Sequence, residues 1–348
     1  MAMLNNSLRV LAWETTRACT LACPHCRASA VTERNDEELS VNEAFLMLES
    51  AAKIGPAIII LSGGEPLLRD DLELIAKRAI ELGHRPVVSC NDGSLLTDER
   101  LSSLKESGIT HFSFSMHSEN EVAHDEFVRV KGAYKNALMA FNRIKNHGMS
   151  FQINTTILPT NHKRIEEFKD WVVSLNASAW HLFFIVPMGR AAETGSEILI
   201  SPDQTEAVLK YVAQNSDNWP IPVKITCAPQ YSRIRAELAA ANKITPKRSH
   251  HGHQSTRSCM AGNGFVFISY KGEVKPCGYF DLILGNIRET PLDEIYTENE
   301  ILRNMRSPEK LEGICKNCNY NKICGGCRAR AYAVTGNYMA GDTTCQKS

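Results

Sequence analysis

Three cysteines near the N-terminus constrain this chain more than any other feature of its sequence. Cys19, Cys23 and Cys26 have the spacing C-x3-C-x2-C and follow an apolar run at residues 8–13. Three thiolates on one short loop can ligate three irons of a four-iron cluster and leave the fourth iron open to a substrate or cofactor. The spacing therefore indicates a reactive iron–sulfur centre, with a zinc site formed by the three thiols and either His25 or another residue as the alternative.

The composition is that of an ordinary globular protein. The 348 residues include 39 Lys and Arg, 39 Asp and Glu, and 43% hydrophobic residues, which suits an enzyme with a sizeable core. The formal net charge of zero gives no sign of a nucleic-acid partner. No apolar stretch reaches the roughly 18 residues of a membrane span, and no signal peptide is evident. We expect a cytoplasmic protein with neither a nucleic-acid nor a membrane partner.

The twelve cysteines are distributed unevenly. Three lie at residues 19–26, seven lie between residues 259 and 345, and Cys90 and Cys227 stand apart. In a reducing cytoplasm this distribution favours metal ligation over disulfide bonds. It predicts two metal-binding regions, whereas Cys90, inside an apolar run, is predicted to be a small buried hydrophobe.

Short apolar runs alternate with longer stretches of helical periodicity in the first part of the chain. The predicted strands are residues 8–14, 57–62, 85–90, 111–116, 150–156 and 179–186. Each precedes a predicted helix, and these helices are residues 42–54, 71–82, 97–107, 133–147, 162–175 and 202–214. Six such units predict an α/β fold with a parallel sheet, a partial (β/α)6 barrel that lacks two units of a complete one.

The segment from Lys243 to Thr256 lacks apolar periodicity and is rich in Pro, Ser, Gly and His, so a domain boundary is expected there. The expected division is a barrel at 1–215, a linking region at 216–256 and a cysteine-rich domain at 257–348. In parallel barrels the reactive groups lie on loops at the C-terminal ends of strands. Four residues at or beyond such ends are expected to face one cavity: Cys19, Gly63, Ser115 and Asn154.

Two motifs give the chain a resemblance to a known family. The string Cys19-Thr-Leu-Ala-Cys23-Pro-His-Cys26 on the first strand-to-helix loop, with Gly63-Gly-Glu-Pro66 after the second strand, resembles the radical S-adenosylmethionine (SAM) superfamily. The resemblance implies a [4Fe–4S] cluster held by the three cysteines. Its open iron would bind SAM, which the reduced cluster cleaves to a 5′-deoxyadenosyl radical.

The same resemblance implies a cofactor-binding set, which consists of Gly63, Gly64, Glu65, Ser115, Arg129 and Asn154. The Gly-Gly-Glu segment would receive the methionine ammonium group, because glycine permits close backbone approach and a carboxylate complements a cation. Ser115 resembles the ribose-contacting residue of the fourth strand, and Arg129 resembles the arginine that meets the cofactor carboxylate. His117, where relatives often carry Asp, and the turn at residues 91–93, which is longer than usual, depart from the family pattern.

The C-terminal cysteines resemble the SPASM extension, which holds auxiliary iron–sulfur clusters beside a radical SAM domain. They are Cys259, Cys277, Cys315, Cys318, Cys324, Cys327 and Cys345. The resemblance implies two sets, namely Cys315, Cys318, Cys324 and Cys345 for one cluster, and Cys259, Cys277 and Cys327 for another.

Seven thiolates cannot fill two four-ligand sites. The second cluster therefore has an open iron or takes a further ligand such as Cys227, unless only one auxiliary cluster forms. The spacing Cys324-Gly-Gly-Cys327 is one residue shorter than the usual SPASM pattern and leaves the same question open. Zinc ribbons are the alternative for this region, because C-x2-C pairs suit tetrahedral zinc.

Longer strings extend the resemblance over nearly the whole chain. They lie at residues 12–17, 151–156, 180–190, 226–231 and 324–332, and they resemble the tetrapyrrole branch of the superfamily, above all the haem b synthases of the sirohaem-derived route. That resemblance implies a radical SAM oxidoreductase that oxidatively decarboxylates two propionates of iron-coproporphyrin III to vinyl groups. It also implies a reducing donor such as flavodoxin or ferredoxin, with an auxiliary cluster as electron acceptor. The oligomeric state stays open.

A tetrapyrrole with four propionates needs cations in an otherwise apolar pocket. The candidates in or near the resembling strings are Arg17, Arg27, Arg190, Arg233, Arg328 and Arg330. His181, at a strand end, is a candidate for contact with the substrate or its iron, and a core histidine with a satisfied hydrogen bond is the alternative. The cluster at residues 250–253 contains three histidines, which bind metal or haem iron or belong to a solvated segment.

Three classes of function remain. The first is the porphyrin decarboxylase, with a close variant that removes side chains from a sirohaem or haem d1 precursor. The second is a SPASM peptide maturase, against which the early first strand argues, since maturases often carry an additional N-terminal peptide-recognition domain. The third is a non-catalytic iron–sulfur or zinc protein, which would form no 5′-deoxyadenosine.

Overall fold

A computed structural model describes residues 7–244 and 258–347, and one sheet runs through both ranges. The strands in these ranges are β1 Val10–Glu14, β2 Ile58–Ser62, β3 Arg85–Cys90, β4 His111–Ser115, β5 Ser150–Ile157, β6 Trp180–Phe184, β7 Val223–Thr226, β8 Phe265–Ile268, β9 Glu273–Lys275 and β10 Gly285–Asn286. Their order across the sheet is β10-β9-β8-β1-β2-β3-β4-β5-β6-β7. From β8 to β7 the neighbouring strands are parallel, whereas β9 and β10 pair in antiparallel fashion at one edge.

The α-helices of the described ranges are α1 Val41–Ile54, α2 Leu72–Glu81, α3 Asp98–Glu106, α4 Glu121–Val128, α5 Ala133–Asn146, α6 Ile165–Ser174, α7 Arg190–Thr194, α8 Pro202–Asn215, α9 Gln230–Ala240, α10 Leu292–Glu298, α11 Glu300–Arg306 and α12 Arg328–Thr335. Side-chain capping fixes several starts. Ser40 before α1 and Ser201 before α8 each form a capping box with the residue three positions on. Within the described chain, no helix combines the length and the apolar character that a membrane crossing requires.

The predicted α/β fold with a parallel sheet is confirmed. All six predicted strands and all six predicted helices are present, with ends that differ by at most three residues. The alternation of apolar runs and helical stretches carried this prediction, because each parallel strand must be covered by the helix that follows it.

The sheet also extends beyond the six predicted strands. β7 pairs with β6 and is followed by α9, which packs against α8, so much of the expected linking region at 216–256 is part of the barrel layer. β8 pairs with β1, which makes the sheet continue into the cysteine-rich region. Both strands have four residues, too few to show a strand pattern in the sequence.

Side chains alternate between the two faces of the sheet. On the outer face, Trp180 is completely buried and its ring stacks on Phe168 with centroids 5.6 Å apart. Its indole N–H donates a hydrogen bond of 2.9 Å to Thr155 Oγ1. The inner face of β4 to β7 is polar, and its side chains include His111, Ser113, Ser115, Gln152, Asn154, His181 and Lys224.

Replacing Trp180 with Ala is expected to lower the free energy of unfolding by about 3–5 kcal/mol, because it leaves a cavity between the sheet and α6. Val122→Ala is the matched control, since Val122 on α4 is 63% exposed and its truncation should change stability by less than about 0.5 kcal/mol. Thermal unfolding followed by circular dichroism under anaerobic conditions measures both. Equal midpoints for the two variants would contradict the packing described here.

Candidate active site

The three N-terminal cysteines lie on the loop that leaves the C-terminal end of β1. Backbone hydrogen bonds hold this loop from both sides. Cys19 N–H donates to the Val31 carbonyl at 2.8 Å, and Val31 N–H donates to the Arg17 carbonyl at 3.0 Å. At the far end of the loop, Arg190 N–H donates to the Cys26 carbonyl at 3.0 Å, which anchors the third cysteine to the start of α7.

The thiols of this loop have the chemistry that iron requires. Burial raises the pKa of Cys19 and of Cys23 to about 12, so a thiolate at either position needs a compensating cation. Iron supplies that charge, and backbone N–H groups already point at two of the sulfurs. Leu21 N–H lies 3.4 Å from Cys19 Sγ, and Ala30 N–H lies 3.5 Å from Cys26 Sγ. The three residues therefore fit a cluster with three protein ligands.

The glycines of the Gly-Gly-Glu segment pack directly against the residues that precede the cysteines. Gly64 N–H donates to the Thr16 carbonyl at 2.8 Å, and Glu65 N–H donates to the Ala18 carbonyl at 2.7 Å. A Cβ at Gly64 would lie 2.2 Å from the Ala18 oxygen, and one at Gly63 would lie 2.3 Å from the Thr16 oxygen. Only glycine permits this approach. The contact of both glycines with the methionine ammonium group stays a prediction.

Glu65 is completely buried and joins the glycine turn to the end of β3. Its Oε2 accepts hydrogen bonds from the backbone N–H of Asn91 at 2.7 Å and of Asp92 at 2.9 Å. Burial raises the pKa of Glu65 to about 7, and these hydrogen bonds oppose the rise. Asn91 Oδ1 in turn accepts from Ser115 N–H at 3.0 Å. Glu65 thus positions the turn at 91–93 and Ser115, and its contact with a cofactor stays a prediction.

The remaining predicted cofactor-binding residues lie at the same end of the sheet. Ser115 is the last residue of β4 and pairs in register with Asn154 of β5. Arg129 ends α4 with a left-handed backbone, φ 60°. Burial raises the pKa of Cys23, and the charges of Arg190 and Arg129 oppose that rise, so both positive charges act on the cysteine loop. The structure brings these residues together, while their contacts with SAM stay predictions.

A buried histidine cluster beside the loop was only partly anticipated from the sequence. The ring of His25 meets that of His117 edge-on with centroids 4.6 Å apart, and His117 stacks on His124 at 6.1 Å. Burial lowers the pKa of His25 and of His124 to about 4. The rings are therefore neutral near pH 7, and those of His117 and His124 accept hydrogen bonds from the backbone N–H groups of Thr156 and His117. The histidines predicted at 250–253 lie outside the described residues.

The sequence left open whether Cys227 joins an auxiliary site, and the structure brings it to three SPASM-type cysteines. This first auxiliary group consists of Cys227, Cys259, Cys277 and Cys327. The Cys227 thiol donates a hydrogen bond to Cys327. Burial raises the pKa of Cys277, and the neighbouring Cys259 and Cys327 raise it further. Four thiols within one buried cluster match the ligand number of a complete [4Fe–4S] site.

The second auxiliary group consists of Cys315, Cys318, Cys324 and Cys345, which line one cavity of about 310 Å³. This is the set that the SPASM resemblance implied. Zinc was the alternative for both auxiliary groups and for the N-terminal cysteines. Tetrahedral zinc needs its ligands within about 2.3 Å of one point. Over residues 7–244 and 258–347, no three His, Cys, Asp or Glu side chains are grouped so as to hold a single metal ion.

Two buried arginines of α12 lie beside the auxiliary groups and do not line an open pocket. Arg328 lies 3.7 Å from Cys315 Sγ and donates to the Ala340 carbonyl at 2.6 Å. Arg330 pairs with Asp342 at 3.5 Å and donates to the Cys227 carbonyl at 2.9 Å. Hydrogen bonds to cluster sulfurs and nearby charges tune such centres. A third candidate for the propionates, Arg233, is committed to Glu206 and Glu237.

Cys227→Ala is expected to alter the electron paramagnetic resonance spectrum of the anaerobically reconstituted protein and to lower its iron and sulfide content by up to about four atoms each per chain, because the first auxiliary group keeps only three of its four thiolates. Cys90→Ala is the matched control, since Cys90 is buried in the apolar core away from both auxiliary groups and its loss should leave the iron content unchanged. Chemical iron and sulfide determination, with electron paramagnetic resonance of the reduced clusters, measures both variants. Wild-type iron and an unaltered spectrum in Cys227→Ala would exclude Cys227 as a ligand.

Two family models match the chain. The radical SAM superfamily matches residues 13–172, which include the N-terminal cysteine loop and the Gly-Gly-Glu segment. An iron–sulfur cluster-binding domain, SPASM, matches residues 259–319. These families imply a [4Fe–4S] cluster that binds SAM, together with auxiliary iron–sulfur clusters.

Similar proteins extend these matches to the full chain. An AdoMet-dependent heme synthase of Methanosarcina barkeri is 39% identical and covers 99% of this chain and 98% of its own. One from Oleidesulfovibrio alaskensis is also 39% identical, with 97% and 87% covered. Identity falls to 28% with an Fe-coproporphyrin III synthase of M. barkeri, with 97% of this chain and 87% of the relative covered.

Solved structures share the fold. SuiB of Streptococcus suis bound to S-adenosylmethionine has a TM-score of 0.72 at 17% identity, covering 98% of this chain and 78% of its own. The enzyme anSMEcpe with bound AdoMet and a peptide has a TM-score of 0.71 at 18% identity, covering 98% of this chain and 94% of its own. By its cysteine sites, its fold and its full-length relatives, the chain belongs to the radical SAM/SPASM superfamily and is a radical SAM enzyme of the branch that includes the AdoMet-dependent heme synthases.

Proposed function

We propose that this enzyme oxidatively decarboxylates two propionates of iron-coproporphyrin III to vinyl groups and so forms protohaem. The observation that carries the proposal is the match to heme synthases, at 39% identity over 97% or more of this chain. The match to the Fe-coproporphyrin III synthase has similar coverage but only 28% identity. The near-complete coverage means that the match extends over the barrel and over the segments that carry both auxiliary groups.

The residues at the C-terminal end of the sheet have different roles in the proposed reaction. Cys19, Cys23 and Cys26 would hold the SAM-binding cluster over the barrel interior. When bound, that cluster and SAM supply the radical that removes a hydrogen atom from a propionate. The inner faces of the strands enclose the substrate and exclude water, which protects reactive groups from side reactions.

Each decarboxylation also requires an outlet for one electron. The propionate loses a hydrogen atom from its β-carbon, the bond to its carboxylate carbon breaks, and the vinyl double bond forms with release of carbon dioxide and one electron. The auxiliary groups are suited to receive that electron, and a small donor such as flavodoxin or ferredoxin is proposed to reduce the SAM-binding cluster.

The loop that carries Cys26 contacts the segment that carries Cys277, which supports this electron route. Arg27 forms an ion pair of 3.2 Å with the buried Glu14 at the end of β1, and its guanidinium lies 4.4 Å from the centre of the Phe267 ring on β8. A Cβ at Gly278 would lie 3.2 Å from Arg27 Cδ. The cysteine loop and the first auxiliary group therefore border the same interior.

Anaerobic incubation of the reconstituted enzyme with iron-coproporphyrin III, SAM and a reductant is expected to yield protohaem through a monovinyl intermediate. Mass spectrometry detects the loss of two carboxyl groups, and chromatography detects 5′-deoxyadenosine. A variant in which Cys19, Cys23 and Cys26 are all replaced by Ala should form neither product, because the SAM-binding cluster has no ligands.

Formation of 5′-deoxyadenosine with an unchanged porphyrin would contradict the proposed substrate while leaving a radical SAM enzyme. Sirohaem-derived and haem d1 precursors are then the substrates to test. Absence of 5′-deoxyadenosine from the fully reconstituted wild-type protein would contradict the proposed activity altogether.

A further inference from the structure

A row of polar side chains crosses the barrel interior on three adjacent strands, and Lys224 of β7 stands at its end. Strand register places Asn154 beside His181, and His181 beside Lys224. Val223 packs against the apolar core on the outer face. Because side chains alternate along a strand, Lys224 points the other way, into the interior.

The other members of the row have polar partners. The Gln152 amide nitrogen donates to Asn154 Oδ1 at 2.9 Å and lies 3.1 Å from His181 Nδ1. The Gln152 amide oxygen lies 3.4 Å from His111 Nε2. Lys224, in contrast, forms no hydrogen bond or ion pair with any residue of the two described ranges. Its ammonium group is therefore the donor of this row that has no protein partner in those ranges.

The surroundings of Lys224 are cationic. Burial lowers the pKa of Lys224, and the charge of Arg9 lowers it further. Burial likewise lowers the pKa of His181 to about 3, with a further contribution from Lys224, so the imidazole beside the ammonium is neutral near pH 7. No carboxylate of the described chain offsets the ammonium charge. Lys224 is itself exposed, so an anion that enters the interior can reach its ammonium group and supply the missing counter-charge.

We infer that Lys224 is the anion site of the barrel interior and binds a substrate carboxylate. This inference rests on the proposed function, in which the substrate carries four propionates. Lys224 stands two residues before the end of β7 and in register with His181 and, through it, with Asn154. We assign to it a carboxylate that does not react in that step, because an ion pair with the ammonium group stabilises a carboxylate against loss as carbon dioxide, and Lys224 is a positioning residue.

The test compares ligands that differ only in carboxylate charge. Three iron porphyrins are titrated into the reconstituted holoenzyme and their binding is followed by absorbance: iron-coproporphyrin III, its tetramethyl ester, and protohaem, which retains two propionates. Lys224→Met keeps the length of the side chain without the charge, and Lys224→Arg keeps a cation. Lys77→Met is the matched control, because Lys77 lies on the exposed face of α2.

Lys224→Met is expected to weaken the binding of iron-coproporphyrin III and of protohaem by about 10- to 100-fold. This is the loss of affinity typical of one charge-assisted hydrogen bond. The tetramethyl ester should bind within about threefold of wild type, since it has no charge for Lys224 to pair with. Lys224→Arg should restore most of the affinity, and Lys77→Met should behave as wild type. The ratio of acid to ester affinity is measured within one protein, so it is independent of cluster loading.

Several results would overturn the inference. Equal losses of affinity for iron-coproporphyrin III and for its tetramethyl ester would mean that Lys224 affects only the shape of the interior and not its charge. Unchanged affinity together with aggregation of Lys224→Met would assign Lys224 to protection of an edge strand, where inward charges discourage strand addition. Weakening of iron-coproporphyrin III but not of protohaem would place the lysine on a reacting propionate instead. A wild-type enzyme that neither binds nor converts porphyrin would refute the proposed function itself, whereas normal conversion with unaltered Lys224→Met affinity refutes only the lysine site.

Discussion

The contact between two backbone segments, the residues before Cys19 and the glycine turn after β2, is the constraint on which the rest of the site depends. Hydrogen bonds of 2.8 and 2.7 Å join Gly64 and Glu65 to the Thr16 and Ala18 carbonyls, and the missing Cβ atoms make that distance possible. The cysteine loop is thereby held to the neighbouring strand rather than left to its own conformation. Through Glu65 the same contact extends to the end of β3 and to Ser115, so four strand ends share one network of hydrogen bonds.

Continuity of the sheet explains how two regions that are distant in sequence act on one interior. β8 pairs with β1 over four residues, and β9 and β10 extend from β8. The cysteine-rich region is therefore built onto the strand that carries the N-terminal cysteine loop. This arrangement brings Arg27 against the segment of Cys277 and puts the first auxiliary group beside the barrel. In the proposed function, an electron that leaves a bound substrate would pass to that group, whose place beside the barrel is set by the pairing of β8 with β1.

The parts of the fold that depend on local patterns were predictable. Six strands and six helices follow from apolar periodicity, and their ends follow from caps such as Ser40 and Ser201. β7 and β8 were not predicted. β7 has four residues and follows Pro222. β8 is part of the sheet only because it pairs with β1, a strand more than two hundred residues earlier in the chain. Such short strands are stable because of their neighbours, so their own sequences carry little signal.

By itself the sequence determined that three thiols with the spacing of cluster ligands stand on one short loop, because ligand spacing is a local property. It also determined the parallel α/β architecture, since periodicity is local too. Only the tertiary structure decided that Cys227 completes a group of four thiols and that Lys224 faces the barrel interior. It also decided that Arg328 and Arg330 form hydrogen bonds with cysteines. These assignments depend on contacts between residues far apart in the chain, whose energies come from burial and charge in the folded state and leave no pattern in the sequence.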